Sequence, residues 1–126
     1  MRGRPGDVDV NAKGYADMAK GKFIVFNEPQ SSEVDAEYNA WYTDTHLPQL
    51  LEHCPSITSA TRFKLVPGQE NPLPGAPNYL AMYDIEADDL MTVRAELGSA
   101  VQAGNVVMSD TIRSEPRSTY LVYEQL

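Results

Sequence analysis

The sequence predicts an α+β domain in which two helices cover one face of a four-stranded antiparallel sheet. Segments with the two-residue alternation of strands and segments with helical periodicity follow in the order strand, helix, strand, strand, helix, strand. The length of 126 residues suits a single domain with one hydrophobic core.

The N-terminal part of the chain predicts a flexible arm followed by the first strand. Residues 1–21 mix glycine, proline and charged residues without apolar periodicity, so we expect the folded domain to span residues 22–126. Residues 22–27, KFIVFN, are apolar on both faces and rich in β-branched and aromatic side chains. This composition predicts a central strand of the sheet.

The next segment predicts the first helix. Apolar and aromatic side chains recur there at helical spacing, namely Val34, Tyr38, Trp41, Tyr42 and Thr45. Leu47 precedes Pro48, and the proline ring disfavours helical dihedral angles at the residue before it. We therefore expect this helix to end near His46, with one further irregular turn after it.

The second half of the chain supplies the remaining elements. Residues 58–66 and 78–85 alternate as strands, with a proline-rich connection between them. Leu90, Val93 and Leu97 predict a second helix that ends at Gly98, and residues 117–125 predict the last strand. This order is the split βαβ arrangement of the ferredoxin-like fold.

One face of such a sheet has no helix over it. The predicted strands place phenylalanine and tyrosine side chains on both faces, and a bare aromatic sheet invites aggregation in a monomer. We therefore expect a homodimer that packs sheet against sheet.

Composition restricts the compartment and the partners. The net charge of -8 makes nucleic acid and anionic membranes poor partners. The single cysteine, Cys54, excludes a disulfide framework and suits a reducing cytoplasm. No apolar run reaches the length of a membrane helix, and residues 1–21 lack the apolar core of a signal peptide. A cytoplasmic protein is expected.

Tyr42 and His46 stand four residues apart in the first predicted helix and form a candidate acid/base pair. Histidine suits proton transfer because its ordinary pKa, about 6.5, is close to cellular pH. A tyrosine hydroxyl can donate to a developing oxyanion. Helical rotation places this pair at the flank of the apolar arc, whose middle holds Tyr38 and Trp41. The alternative is structural: His46 caps helix carbonyls and Tyr42 packs in the core.

The stretch YNAWYTDTHLPQLLEHCPSI, residues 38–57, places an aromatic residue four positions before His-x-Pro. It resembles the EthD-like proteins of the dimeric α/β-barrel superfamily, whose hallmark is W/F-Y-x-x-x-H-x-P followed by a Pro-Gly strand entry. The resemblance covers about residues 22–125 in element order, but close motif agreement is confined to residues 41–56. The chain departs from the pattern at Pro55-Ser56, where the family often has Pro-Gly.

The resemblance implies two ferredoxin-like protomers joined through their sheets, each with a pocket between sheet and helices. The superfamily includes polyketide cyclases, muconolactone-type isomerases, fungal dehydratases and cofactor-free monooxygenases, many of which act on aromatic or polyketide-like molecules without a cofactor. It implies catalytic roles for His46, as general acid or base, and for Tyr42 beside it. Substrate-binding roles follow for further aromatic side chains, namely Tyr38, Trp41, Tyr79 and Tyr83.

The function expected from these observations is a cofactor-independent lyase, isomerase or cyclase that uses a histidine for proton transfer. A non-catalytic small-molecule-binding or accessory protein would use the same pocket, and a cofactor-free monooxygenase would bind an aromatic that itself activates oxygen. No metal is expected, because the adjacent side chains of Glu52 and His53 diverge and cannot readily join His46 around one ion. Arg62, on a strand edge, is expected to be solvated.

Overall fold

A computed structural model of the chain describes residues 18–70 and 76–126. The strands are β1 (Ala19–Phe26), β2 (Ile57–Lys64), β3 (Tyr79–Ala87) and β4 (Thr119–Glu124). The helical elements are a 3-10 turn (Ser32–Val34), α1 (Asp35–Trp41), a π-helical turn (Tyr42–His46), α2 (Leu47–His53) and α3 (Thr92–Gln102). The sheet order is β2-β3-β1-β4 with antiparallel neighbours throughout, which confirms the predicted ferredoxin-like α+β fold.

Strand β1 is central in the sheet, as its two apolar faces predict. It pairs with β3 on one side and with β4 on the other. Phe23 and Val25 point toward the helices, opposite Tyr83 and Ala81 of β3, and all four are buried. β1 begins at Ala19, so three residues of the predicted arm belong to the sheet, while residues 1–17 lie outside the described residues.

The first helix does not end at His46, contrary to the prediction from Pro48. Leu47 has helical dihedral angles, φ -59° and ψ -47°, and the chain continues into α2 as far as His53. Pro48 lies in the first turn of α2, where a residue without an N–H is tolerated. In the π-helical turn before it, i to i−5 hydrogen bonds replace the regular i to i−4 bonds. Pro48 has no N–H and could not have donated the next i to i−4 bond.

The second helix is also longer than predicted. α3 runs through Gly98 to Gln102, so Gly98 is an interior helix residue and not a stop signal. The chain leaves the helix at Gly104, whose φ of +82° is the left-handed conformation in which glycine commonly ends helices. Among the helices described, none combines the length and the apolarity that a membrane crossing requires.

The sheet face away from the helices carries a partly exposed apolar patch beside the ion pair of Lys22 and Asp84. Phe63, Leu121 and Tyr123 on this face are 47%, 36% and 54% exposed. Ile24 of β1 and Met82 of β3 lie opposite one another between them and are half-buried. The face has the character that the predicted sheet-to-sheet dimer would need, and the dimer itself stays a prediction.

Candidate functional site

A cavity of about 530 Å³ lies between the sheet and the helices. Three of the four strands, β1, β3 and β4, contribute to its wall, together with the π-helical turn, α2, α3 and the segment after α3. Its lining residues are Phe23, Val25, Asn27, Tyr42, His46, Leu50, Tyr83, Leu97, Gly98, Val101, Gln102, Met108 and Tyr120. The wall is therefore mostly apolar, with a few polar groups gathered around one histidine.

The π-helical turn places Tyr42 and His46 on the cavity. Four buried side chains follow at intervals of four residues, namely Tyr38, Tyr42, His46 and Leu50. In a regular α-helix this spacing drifts around the axis, because four residues turn through more than one full circle. A π-helical turn closes i to i+5 hydrogen bonds and rotates less per residue, so the stripe stays on one face. The pair therefore occupies the middle of the buried face. Regular helical rotation had predicted a position at the flank of that face, which is wrong.

Two aromatic rings hold the His46 imidazole. The Trp41 ring stacks on it at 4.6 Å between centroids with an interplanar angle of 26°. The Tyr42 ring meets it edge-on at 5.0 Å and 90°. His46 is 5% exposed, and no described group lies within hydrogen-bonding distance of its Nδ1 atom. The imidazole is thus oriented by packing on its ring faces and not by a hydrogen bond at Nδ1.

The pKa of His46 is lowered from 6.5 to about 4, first by burial and second by the positive charge of Arg62. A helix C-terminus would favour the imidazolium and raise this pKa, but His46 is not at one. α2 continues to His53, and the negative end of the helix dipole lies there. The imidazole is consequently neutral at pH 7. A neutral imidazole can accept a proton or a hydrogen bond from a bound molecule.

Two phenols share the cavity with the imidazole. Burial raises the pKa of Tyr42, an effect that the neighbouring polar groups of Tyr83 and Asn27 partly offset. Burial also raises the pKa of Tyr83, and its hydroxyl makes no hydrogen bond with a described group. Both phenols are protonated at neutral pH and can donate a hydrogen bond to a ligand oxygen.

The structure brings Tyr42, His46 and Tyr83 to the cavity and leaves Tyr38, Trp41 and Tyr79 outside its lining. The Tyr38 hydroxyl donates to the Asn27 side chain, and the Tyr79 hydroxyl donates to Asp35 Oδ1 at 2.7 Å. The hydroxyls of these two tyrosines are occupied within the protein, so their positions do not support the predicted direct contact with a substrate. Trp41 lies against the site from outside, through its stacking on the His46 ring.

Arg62 has a larger structural role than the solvated side chain that the sequence predicts. Its guanidinium carbon lies 4.5 Å from the centroid of the Tyr42 ring. Its nitrogens donate to Asn39 Oδ1 at 2.8 Å and to Thr43 Oγ1 at 3.2 Å. Since Arg62 also lowers the pKa of His46, it helps to keep the imidazole neutral.

Several cavity residues escaped the sequence analysis. Leu97 and Val101 carried a usable signal, because they stand four residues apart on one helix and bracket Gly98. Asn27 follows β1 directly, and its side chain accepts from Tyr38 while lining the cavity. No pattern in the sequence links it to His46, since the two come together only through the packing of helix on sheet.

His46 lies apart from Glu52 and His53, the two residues considered with it as metal ligands. His46 lines the cavity, whereas Glu52 and His53 contact each other at 3.7 Å, with the Glu52 side chain 74% exposed, so the expected divergence of these two adjacent side chains is wrong. Within residues 18–70 and 76–126 no group of three or more His, Cys, Asp or Glu side chains is placed to hold a metal ion. Cys54 is buried, and burial together with Glu96 raises the pKa of its thiol to about 11. That thiol is protonated at neutral pH, which disfavours a nucleophilic role.

Comparison with known proteins finds similarity at the level of the fold. No protein-family model matches the chain, and no curated protein matches its sequence. An EthD family protein from Bacillus halodurans is 15% identical, with 86% of this chain and 99% of that chain covered and a TM-score of 0.46. An EthD-like protein from Ralstonia eutropha is 18% identical, with 82% and 91% covered and a TM-score of 0.49.

Proposed function

We propose that the cavity binds a small aromatic or polyketide-like molecule and that His46 transfers a proton within it without a cofactor. The observation that carries the proposal is a neutral imidazole on the wall of an apolar cavity that also holds two protonated phenols. The reaction class is that of a lyase, isomerase or cyclase in which a proton is moved beside a carbonyl.

The size and the wall of the cavity support a ligand of this kind. A volume of about 530 Å³ lies in the range of small-molecule sites, roughly 300 to 1,000 Å³. Aliphatic side chains such as Val25, Leu50 and Val101 form much of the wall, which favours an apolar ring system. The few polar groups can fix the orientation of one or two carbonyl or hydroxyl oxygens.

The chemistry follows from the protonation states. Neutral His46 takes a proton from a carbon next to a carbonyl, the C–H bonding electrons move into the enolate, and Tyr42 or Tyr83 donates to the enolate oxygen. Return of the proton to another carbon completes an isomerisation. Alternatively, the enolate carbon attacks a second carbonyl and closes a ring, and the alkoxide that forms takes the proton back from the imidazolium. With a pKa of about 4, His46 is a weak base in the empty cavity. The negative charge of an adjacent enolate favours the imidazolium, and this effect is strong in a poorly solvated site.

The same proposal includes a homodimer in a cytoplasmic setting. The partly exposed apolar sheet face supports an assembly in which two sheets pack against each other. The single, buried cysteine suits a reducing compartment.

Deuterium exchange with two aromatic ketones tests the proton transfer. We expect the protein to accelerate exchange of the acidic C–H protons of 2-tetralone or 1-phenylbutane-1,3-dione in deuterated buffer, followed by NMR. His46→Gln should slow the protein-dependent exchange on the order of 10²-fold. His53→Gln, which removes the other histidine at a position outside the cavity, should leave it unchanged.

The ligand carrier is the second candidate, and the low pKa of His46 is the observation that favours it. A carrier would bind both ketones, seen by saturation transfer NMR, with equal affinity in the wild type and in His46→Gln, and would not accelerate exchange. Oxygen consumption in the presence of a dihydroxynaphthalene would instead identify a monooxygenase. Failure of both ketones to bind would contradict an aromatic-ligand cavity altogether.

A further inference from the structure

A second cavity, of about 600 Å³, has three arginines on its wall. Arg94 comes from α3, while Arg113 and Arg117 come from the segment that precedes β4. Ser114, Ser118 and Tyr120 complete the lining. Tyr120 also lines the His46 cavity, and it is the one lining residue that the two cavities share.

The concentration of positive charge in this arginine cavity is unusual for the chain. The protein has ten Lys and Arg residues and a net charge of -8, yet three of the ten line this one cavity. Like charges held close together repel each other, which opposes folding unless an anion joins them. The cavity therefore presents a local positive charge to an anionic molecule.

No described carboxylate pairs directly with the three arginines. None of them forms a salt bridge with an acidic residue in the part of the chain that the structure describes. Glu28 adjoins Arg113 and Arg117 in a neighbouring cavity, but its two carboxylate oxygens accept hydrogen bonds from the backbone and side chain of Asn78 and the backbone of Tyr79. Arg94 instead lies over the Tyr120 ring, 5.2 Å from its centroid.

Arg113 supplies an independent observation. Its Nε atom is buried, and no described group accepts a hydrogen bond from it. Burying a charged donor without a partner is costly, and Nε together with one Nη forms the fork that binds two oxygens of one anion. As the side chain stands, this Nε atom has almost no exposed surface, so a tetrahedral oxyanion in the cavity would use the fork once the guanidinium turns toward it.

We propose that the arginine cavity binds a phosphate group, either as free phosphate or as a phosphate monoester of a small molecule. Three guanidinium groups and the hydroxyls of Ser114 and Ser118 offer more donors and more charge than a carboxylate can use, and they match the several oxygens and the double charge of a phosphate. The proposal is independent of the chemistry at His46, because the arginines belong to a separate cavity.

Titration of the full chain with inorganic phosphate, phenyl phosphate and acetate tests the proposal. Binding is followed by calorimetry and by amide chemical shifts at constant ionic strength and pH 7.5. We expect saturable binding of both phosphates at one site, with shifts concentrated at residues 113–118, and weaker binding of acetate. Tighter binding of phenyl phosphate than of inorganic phosphate identifies an ester as the ligand, and the reverse identifies free phosphate.

The variants separate a built site from general attraction. Arg113→Gln and Arg117→Gln should each weaken phosphate binding by roughly 10-fold or more, because each removes charge-assisted hydrogen bonds. Lys20→Gln changes the net charge equally at an exposed position of β1 and should leave the dissociation constant within about twofold. Arg113→Lys keeps the charge but loses the fork, so it should also bind more weakly while the unfolding transition stays close to that of the wild type.

Three results would overturn the assignment. Shifts that do not saturate, or equal weakening by Lys20→Gln, would show that phosphate responds only to the overall charge. Equal affinity for acetate and phosphate would exclude selection for a tetrahedral dianion. Wild-type affinity in Arg113→Lys would remove the Nε fork from the site, and a folding defect cannot explain that result because such a defect would weaken binding.

Discussion

Acid titration of the folding equilibrium measures the burial of His46 directly. The folded protein holds this imidazole with a pKa of about 4, whereas the ordinary value is 6.5. Burial is the main cause and the charge of Arg62 is the second. Between these two pH values the unfolded chain binds a proton at His46 that the folded chain excludes. The free energy of unfolding therefore includes a pH-dependent contribution from His46.

The sign and the size follow from the two pKa values. Above pH 6.5 the imidazole is neutral in both states, and its full contribution to stability is present. As the pH falls from 6.5 through 4, protonation of the unfolded chain removes this contribution, and below pH 4 both states carry the proton. The shift from 6.5 to about 4 corresponds to ~3 kcal/mol of stability lost over this interval.

Urea unfolding at half-unit steps from pH 7.5 to pH 4.0 provides the assay, in the wild type and in His46→Gln. Carboxylates contribute to the pH dependence of both proteins, so the informative quantity is the difference between the two curves. We expect the wild type to lose ~3 kcal/mol more than His46→Gln over the acid interval. His53→Gln should follow the wild type. Parallel curves for the wild type and His46→Gln would refute the conclusion that the folded protein holds a neutral, desolvated imidazole.

Three further predictions concern other parts of the fold. Gly98→Ala should raise the free energy of unfolding by ~0.5 to 1 kcal/mol in the same urea assay, because Gly98 is interior to α3 and a Cβ there meets no atom within 4 Å. Gly104→Ala should lower the free energy of unfolding by ~1 kcal/mol, because the φ of +82° at this position is strained for a residue with a Cβ. Leu121→Lys should convert a species of twice 14.0 kDa to one of 14.0 kDa in sedimentation equilibrium, and a wild type that sediments as a monomer contradicts the dimer. Tyr42→Phe should slow the exchange of 2-tetralone by about tenfold or more while His46 stays buried, and unchanged exchange would remove this hydroxyl from the mechanism.

The sheet could be predicted because its signals are local. Period-two alternation reports which side chains face the core, and antiparallel strands joined in sequence leave few arrangements to choose from. β1 illustrates the point, since its apolar residues on both faces predicted a central strand and it pairs on both edges. The predicted strand near residues 78–85 likewise corresponds to β3, with Tyr79 and Tyr83 on the buried face.

The helices and the cavity could be predicted only in part, because their details depend on tertiary packing. Pro48 disfavours helical dihedral angles at Leu47, which is a local preference. The π-helical turn lets the helix continue and bury the stripe from Tyr38 to Leu50, and this burial outweighs the local preference. Tyr38 and Tyr83 are the same residue type in similarly apolar surroundings. Only the assembled fold shows that Asn27 accepts from the Tyr38 hydroxyl, while Tyr83 lies on the cavity wall.

The unsatisfied polar atoms of the described structure link its two candidate sites. Four buried side-chain atoms lack a hydrogen-bond partner in residues 18–70 and 76–126: Trp41 Nε1, His46 Nδ1, Tyr83 Oη and Arg113 Nε. Each such atom costs about 1 to 3 kcal/mol, which is a large fraction of the stability of a small domain. His46 and Tyr83 line the His46 cavity, and Trp41 stacks on the His46 ring. Arg113 lines the arginine cavity. A sequence selected for stability alone would place apolar or fully bonded side chains at these positions, so their clustering at two cavities supports ligand binding at both.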